Sequence, residues 1–164
     1  ALSLYAIGLI AGNLVNVYSD NAGKDGWEKI TLASTIGGMV INTAGVTLAH
    51  GMEHPASGLR DIVHGKGLAA LTPAIIEASY TGNESKFADI AKLFGGKEAK
   101  DLALKIRELL KSINLNCTLS DLGIEEKDIP WMAENCMKVS AASVANNPVV
   151  FTQEQISDIY KKAL

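Results

Sequence analysis

The sequence has little of what marks several common classes of protein. Its two cysteines, Cys117 and Cys136, do not form a CxxC pair, which argues against a disulfide scaffold and a zinc ribbon. The net charge is -3 and no block of basic residues stands out, so we expect no nucleic-acid partner. No signal peptide is recognisable, and reduced thiols are typical of a cytoplasmic protein, which is the location we expect.

Charged side chains are missing from residues 30–52, a run of 23 residues that is long enough for a membrane span. The run contains Asn42, His50 and four glycines, however, and no basic clusters or aromatic pairs flank both of its ends. We therefore expect no membrane role. The run is interpreted instead as a helix that is buried on all sides in a larger fold.

Strand patterns are also scarce, whereas apolar residues recur at helical spacing. With 164 residues, of which 48% are hydrophobic, the chain is large enough for a substantial core. We predict an all-α, multi-helix fold in a single domain over residues 1–164. The predicted helices cover about 1–18, 65–80, 83–94, 102–113 and 130–144, with a last helix that begins after a capping box of Thr152 and Gln155.

All three histidines of the chain, His50, His54 and His64, fall within fifteen residues. His50 and His54 are four residues apart, so on a helix they lie on one face, and His64 can return to them through a turn beyond Pro55 and Gly58. Imidazole is a ligand that suits Zn, Fe, Ni and Cu. We interpret the cluster as part of a divalent-metal site.

Two other interpretations of the histidines stay open at this point. The segment 50–54 matches the H-x-x-E-H pattern of zinc metallopeptidases, in which Glu53 would activate water. Pro55 argues against it, because a helix is expected to turn or end near a proline. In a helical interaction domain without catalysis, His54 would pack in a core, while His50 and His64 would lie at the surface and at a helix end.

An extended set of motifs resembles the C-terminal helical domain of the iron-dependent (group III) alcohol dehydrogenases, relatives of glycerol dehydrogenase and dehydroquinate synthase. The likeness is looser from Asn83 onward. The resemblance implies a dehydroquinate synthase-like helical fold and an oxidoreductase that interconverts alcohols and aldehydes or ketones with NAD(P). The motifs are ALSLYAIGLI (1–10), LASTIGGM (32–39), NTAGVTLAH (42–50), GMEHPASG (51–58) and HGKGLAALTP (64–73).

The resemblance also implies roles for the histidines. In this family one aspartate and three histidines hold the metal, Fe²⁺ or Zn²⁺, and His50 and His64 match the last two of these ligands. His54 matches a histidine that is not a ligand but lies near the substrate and the nicotinamide, where it would be a catalytic and cofactor-binding residue that helps to move the hydroxyl proton. Glu53 stands where many relatives have a small apolar residue.

The family's aspartate, its first histidine ligand and its Gly-rich nucleotide-binding unit have no match in this chain. We therefore expect the N-terminal nucleotide-binding domain, which would bind most of the NAD(P), to be absent, and the isolated chain to be inactive. A domain without that partner would expose an apolar patch and would form a homo-oligomer. Its remaining partner would be a small alcohol or aldehyde.

Overall fold

The structure, a computed structural model, describes all of residues 1–164, and it contains helices and short 3₁₀ turns but no strand. The predicted all-α class is therefore confirmed. The helices are α1 (Leu2–Tyr18), α2 (Gly23–Ala44), α3 (Leu48–Arg60), α4 (His64–Ser79), α5 (Glu84–Leu93), α6 (Leu102–Ser112), α7 (Ile129–Val139), α8 (Ala141–Ala145) and α9 (Gln153–Ala163). Both cysteines are free.

Most predicted helices agree with the structure to within one or two residues. The Thr152 side chain accepts a hydrogen bond from the Gln155 backbone at the start of α9, so the predicted capping box is confirmed. The single helix expected over 130–144 is wrong, because Ser140 has a non-helical backbone and separates α7 from α8. A Cβ added at Gly51 of α3 would lie 3.2 Å from the Ser140 Cβ, so the break lies where these helices approach most closely.

The sequence suggested that the uncharged run over residues 30–52 is one buried helix, and this prediction is wrong. Helix α2 ends at Ala44, and Gly45 follows with a φ of 71°, in the left-handed region that favours glycine. Met39 and Ile41 near the end of α2 are exposed. No single helix is long and apolar enough to cross a membrane, and α2 and α3 meet that test of length and composition only when they are taken together as a bent pair.

Helix α3 does not end near Pro55, contrary to expectation, but continues through it to Arg60. Pro55 is buried, as are Leu48, Met52 and Ala56 on the same helix. A proline inside a helix removes one backbone hydrogen bond, and here the burial of this apolar stripe offsets that loss. The histidines at both ends of the H-x-x-E-H segment consequently lie on one regular helix.

The chain divides into two compact units, which we describe separately. Unit 1 comprises residues 1–45 and 84–114, in which α1 packs on α2 and on α5, and α5 packs on α6. Its buried cluster of Ala6, Ala33 and Ile36 consists mostly of small side chains. Unit 1 is therefore held by close contact between helices rather than by a large apolar core.

Unit 2 comprises residues 46–83 and 115–164, and α3 lies against α4, α7 and α8, while α9 packs on α4 and α7. It encloses a core of large apolar side chains. The fully buried large residues of this core include Leu48, Met52, Leu71, Leu119, Ile124, Ile129, Met132, Ile156 and Tyr160. Whether residues 1–164 form a single domain, as the sequence predicts, stays a prediction.

Candidate metal centre

The structure brings the three histidines of the chain together in unit 2. His50 and His54 lie one turn apart on α3, and His64 is the first residue of α4. Helix α3 ends at Arg60, and the following Asp61, with a φ of 51°, turns the chain back. The ring centroids of His50 and His64 are 5.2 Å apart, those of His54 and His64 5.7 Å, and those of His50 and His54 6.1 Å.

The exposure of the three rings does not fit incidental histidines. His54 is exposed, so the interpretation that it packs in a core is wrong. The His64 side chain is 49% exposed and His50 is half-buried. The three imidazoles therefore form an accessible cluster above the core of unit 2, where their nitrogens can meet a ligand.

A buried carboxylate lies beneath this cluster. Glu53 is 0% exposed, and its two oxygens have different partners. The Ser57 hydroxyl, one turn further along α3, contacts Oε1, and Nδ1 of His64 contacts Oε2. A carboxylate only accepts hydrogen bonds, so Nδ1 of His64 is the donor and Nε2 is the ring nitrogen that remains free of this contact.

Gly67 makes room for this carboxylate. A Cβ added at Gly67 would lie 2.6 Å from Oε1 of Glu53 and 2.8 Å from its Cγ, whereas a Cβ added at Gly65 would meet nothing within 4 Å. Helix α4 can therefore cross Glu53 at Gly67 because this residue has no side chain.

The electrostatic environment favours the neutral form of one histidine. Partial burial, followed by repulsion from the imidazoles of His64 and His54, lowers the pKa of His50 below its ordinary value, although Glu53 acts in the opposite direction. A neutral imidazole offers the lone pair that a metal ion needs. His50 is thus prepared to act as a ligand rather than as a cation.

A hydrogen bond from the core supports helix α3 below the cluster. The hydroxyl of Tyr160, on α9, donates to the backbone carbonyl of Met52 at 2.5 Å. Tyr160 is fully buried, and burial raises the pKa of its phenol far above the ordinary range. The phenol therefore remains a neutral donor, and it ties the turn of α3 that carries Glu53 to the last helix.

The donor set fits a divalent transition metal. Ligand atoms of Glu53, His54 and His64 all lie within 4.8 Å of one another, and the His50 ring adjoins those of both other histidines. Imidazole nitrogens suit Zn²⁺ and Fe²⁺ better than Mg²⁺ or Ca²⁺, which prefer oxygen ligands. The roles assigned to the individual histidines stay predictions.

A helical fold with clustered, accessible imidazoles above a buried carboxylate is of the kind that can contribute ligands to a metal site. The chain belongs to the iron-containing alcohol dehydrogenase family, because the sequence model described as "Fe-containing alcohol dehydrogenase family, C-terminal" matches residues 1–164. The predicted family is thereby confirmed.

Individual relatives agree with this membership. The chain is 34% identical to a 1,3-propanediol dehydrogenase of Klebsiella pneumoniae and 31% identical to a lactaldehyde reductase of Escherichia coli (strain K12), and each match covers 99% of this chain and 44% of the relative. The crystal structure of an archaeal halo-thermophilic Red Sea brine pool alcohol dehydrogenase superposes with a TM-score of 0.91 at 30% identity, over 99% of this chain and 44% of that one. The chain thus spans under half the length of these relatives.

Sequence reasoning found the histidines but missed the part played by Glu53. It treated Glu53 as the general base of a peptidase or as a replacement for a small apolar residue. The signal was the combination of an acid with Ser57 four residues later, which is one turn of a helix, and with a glycine three residues after His64. Read together, those spacings indicate a buried carboxylate with two donors.

Proposed function

We propose that this chain is the metal-binding part of an alcohol dehydrogenase that interconverts alcohols and aldehydes or ketones with NAD(P). The observation that carries the proposal is the convergence of His50, His54 and His64, with ring centroids 5.2–6.1 Å apart, in a chain of this family. Neither the peptidase nor the interaction domain accounts for the convergence of all three rings, of which those of His54 and His64 are exposed. The family membership supports an oxidoreductase.

The three histidines have two different roles in this proposal. His50 and His64 hold Fe²⁺ or Zn²⁺, and the hydrogen bond from Nδ1 of His64 to Glu53 leaves Nε2 of that ring for the ion. His54, which is exposed and lies one turn after His50, faces the reacting alcohol and the nicotinamide. It carries the hydroxyl proton between the substrate and solvent.

The chemistry that the bound groups supply is Lewis-acid polarisation of the substrate oxygen by the metal and hydride exchange with the nicotinamide. This chain contributes the position of the ligands. Helix α3 and the first turn of α4 are fixed from below by Tyr160 and Glu53, so the imidazoles keep their mutual distances with little side-chain freedom to lose on binding.

We further propose that an N-terminal nucleotide-binding domain, with the aspartate and the first histidine ligand, completes the site. The 44% share of the relatives' length that this chain spans supports this part of the proposal. A metal held by two neutral imidazoles alone is bound weakly, because water fills the other positions and no carboxylate is among its ligands. The chain alone should therefore show no NAD(P)-linked activity.

The metal part of the proposal is tested by titrating the chain with Co²⁺ and following the visible spectrum and the heat of binding. We expect weak binding, and we expect His50→Ala and His64→Ala each to weaken it by about tenfold or more. His54→Ala should leave the affinity within about twofold of the original, since that ring is not a ligand in this proposal. Loss of binding in His54→Ala, with no change in His50→Ala, would contradict the assignment.

The catalytic part is tested in a full-length protein that contains this chain. His54→Ala is expected to lower kcat by about 10²–10⁴-fold, because a positioned acid or base contributes a factor of that size. An unchanged kcat in His54→Ala would remove this residue from the reaction.

We also propose that the chain self-associates and acts in the cytoplasm. The exposed apolar side chains of α1 and α2 support self-association, and they include Tyr5, Tyr18, Trp27 and Met39. The two unpaired thiols support a reducing compartment. Light scattering that shows only a monomer, together with an absence of binding by an apolar dye, would contradict the proposed association.

A further inference from the structure

We propose that Glu53 is a positioning residue that fixes the orientation and the tautomer of His64, and that Gly67 is the residue that allows it to do so. The proposal rests on the assignment of His64 as a metal ligand. It adds to that assignment the idea that a carboxylate, a histidine and a glycine act together. Glu53 itself contacts neither the substrate nor the ion.

The contacts of Glu53 leave it little freedom to act in another way. Its side chain is 0% exposed, with Ser57 at one oxygen and His64 at the other. A general base needs an oxygen that is open to water, whereas the Glu53 side chain is closed to solvent and each of its oxygens already has a hydrogen-bond partner. This geometry favours orientation of the His64 ring as the function of Glu53.

The hydrogen bond determines which nitrogen of His64 is available. Because Nδ1 donates to the carboxylate, the ring is held in the Nδ1–H tautomer, and the lone pair is on Nε2. An isolated histidine side chain prefers the other tautomer and rotates freely. Glu53 thus prepares an exposed side chain for binding before any ion arrives.

The charge of Glu53 has a further effect. A buried carboxylate is costly unless it has strong partners, and here its partners are the Ser57 hydroxyl and the His64 ring. A divalent cation on Nε2 would lie one imidazole ring away from this carboxylate. The carboxylate is therefore expected to strengthen the binding of a divalent cation at Nε2, because opposite charges attract.

A substitution at Gly67 can disturb the contact between Glu53 and His64 without altering the carboxylate chemically. A methyl group at position 67 would lie 2.6 Å from Oε1 of Glu53, and the carboxylate could move only by leaving its contacts. Gly65 is on the same turn of α4, and a methyl group there would meet nothing within 4 Å. Gly67→Ala and Gly65→Ala are thus matched variants with the same change in helix propensity.

The first experiment measures the ring tautomer in the metal-free chain by ¹⁵N NMR of the histidine side chains. We expect Nδ1–H in the original chain, and a shift toward Nε2–H in Glu53→Ala and Gly67→Ala. Gly65→Ala should match the original chain. Glu53→Gln, which keeps the volume but loses the charge, should show a mixture. An unchanged tautomer in Glu53→Gln and Gly67→Ala, both folded by circular dichroism, would overturn the proposal.

The second experiment measures the Co²⁺ dissociation constant and the visible spectrum of a full-length protein that contains this chain. We expect Glu53→Gln and Gly67→Ala to weaken binding by about 10–100-fold, the usual effect of losing a partner of a metal-bound histidine, and to alter the Co²⁺ spectrum. Gly65→Ala should remain within about twofold of the original protein.

The two experiments separate a failure of this proposal from a failure of the proposed function. If His64→Ala abolishes Co²⁺ binding but Glu53→Gln alters neither the affinity nor the tautomer, His64 is a ligand and the proposal for Glu53 is wrong. If Glu53→Gln alters the tautomer but His64→Ala leaves binding unchanged, the assigned ligand is wrong. If Glu53→Gln weakens binding without altering the tautomer, Glu53 is itself a ligand, which also overturns its positioning role.

Discussion

The two units of this chain are both helical, but they are built from different side chains. The buried cluster of unit 1 contains two alanines and one isoleucine. The other buried side chains of this unit are Ala91, Ala99 and Ala103 together with the larger Val17 and Leu102. Unit 2 buries leucine, isoleucine, methionine and tyrosine below the histidines. Since apolar stabilisation grows with the buried area, unit 2 gains far more from its core than unit 1 does.

The difference shows where rigidity is needed. In unit 2, the helix that carries His50 and His54 packs on several partners, and a buried phenol holds its backbone. In unit 1, large apolar side chains such as Tyr5, Trp27 and Met39 remain more than half exposed. The histidine cluster lies on unit 2, whereas most of the exposed large apolar side chains lie on unit 1.

Cavity-forming substitutions should give the largest difference between the two units in the loss of free energy of unfolding. Ile156→Ala removes a side chain that is 0% exposed in the core of unit 2, and we expect it to lower the free energy of unfolding by about 2–5 kcal/mol. Ile36→Ala in unit 1, which is 7% exposed among alanines, should cost about 1 kcal/mol less. Urea unfolding followed by circular dichroism measures both, and equal losses would contradict the comparison.

The loss of stability when an ion pair is broken should also differ between the two units, but by a smaller amount. Arg60 of unit 2 donates to Asp128 at 2.6 Å and to the Gly123 carbonyl at 2.9 Å, and the Asp128 side chain is only 11% exposed. We expect Arg60→Ala to cost about 1–3 kcal/mol. Lys29→Ala, which breaks the exposed pair with Asp25 in unit 1, should cost less than about 0.5 kcal/mol. The same unfolding measurement tests both, and the result should be repeated at high salt.

Loss of a single hydroxyl group is expected to have a still smaller effect. Tyr160→Phe removes the donor to the Met52 carbonyl in unit 2, and should lower the free energy of unfolding by about 1 kcal/mol. Tyr5→Phe in unit 1, where the side chain is 55% exposed, should change nothing measurable.

Because burial raises the pKa of Tyr160, alkaline absorbance titration should show that its phenol stays protonated until unit 2 unfolds. Ionisation of all four tyrosines in the folded chain would contradict this.

The smallest effect on stability is expected at the exposed apolar surface of unit 1. Trp27 is 54% exposed, so Trp27→Ala should alter the free energy of unfolding by less than about 0.5 kcal/mol. The same change should reduce the binding of an apolar dye and the self-association of the chain, since it removes the largest side chain of that surface. A strong loss of stability would show that Trp27 belongs to a core.

The sequence predicted the helices well wherever local signals determine them. Amphipathic spacing indicated α6, and a capping box located the start of α9. It failed at Pro55, where burial offsets the proline, and at Ser140, where contact with Gly51 of another helix accompanies the break. Those outcomes depend on residues far apart in the chain, and local spacing carries no information about them.

The candidate site was predicted to a similar extent. Clustering and i, i+4 spacing were sufficient to propose that His50, His54 and His64 converge. The contact between Glu53 and His64 could not be derived in the same way, because it requires that α4 cross α3 at Gly67. A pattern search records each residue separately, whereas the contact exists only between helices.

The close approach of Gly67 to Glu53 also has an evolutionary consequence. In a lineage that has Glu53, a Cβ at position 67 would lie 2.6 Å from Oε1 of the carboxylate, whereas a small residue at position 53 would remove that clash. The order of mutation therefore matters: position 67 can diversify only after the acid has been lost, and an acid can be gained only while position 67 is glycine. Descendants should inherit these two sites as a linked pair.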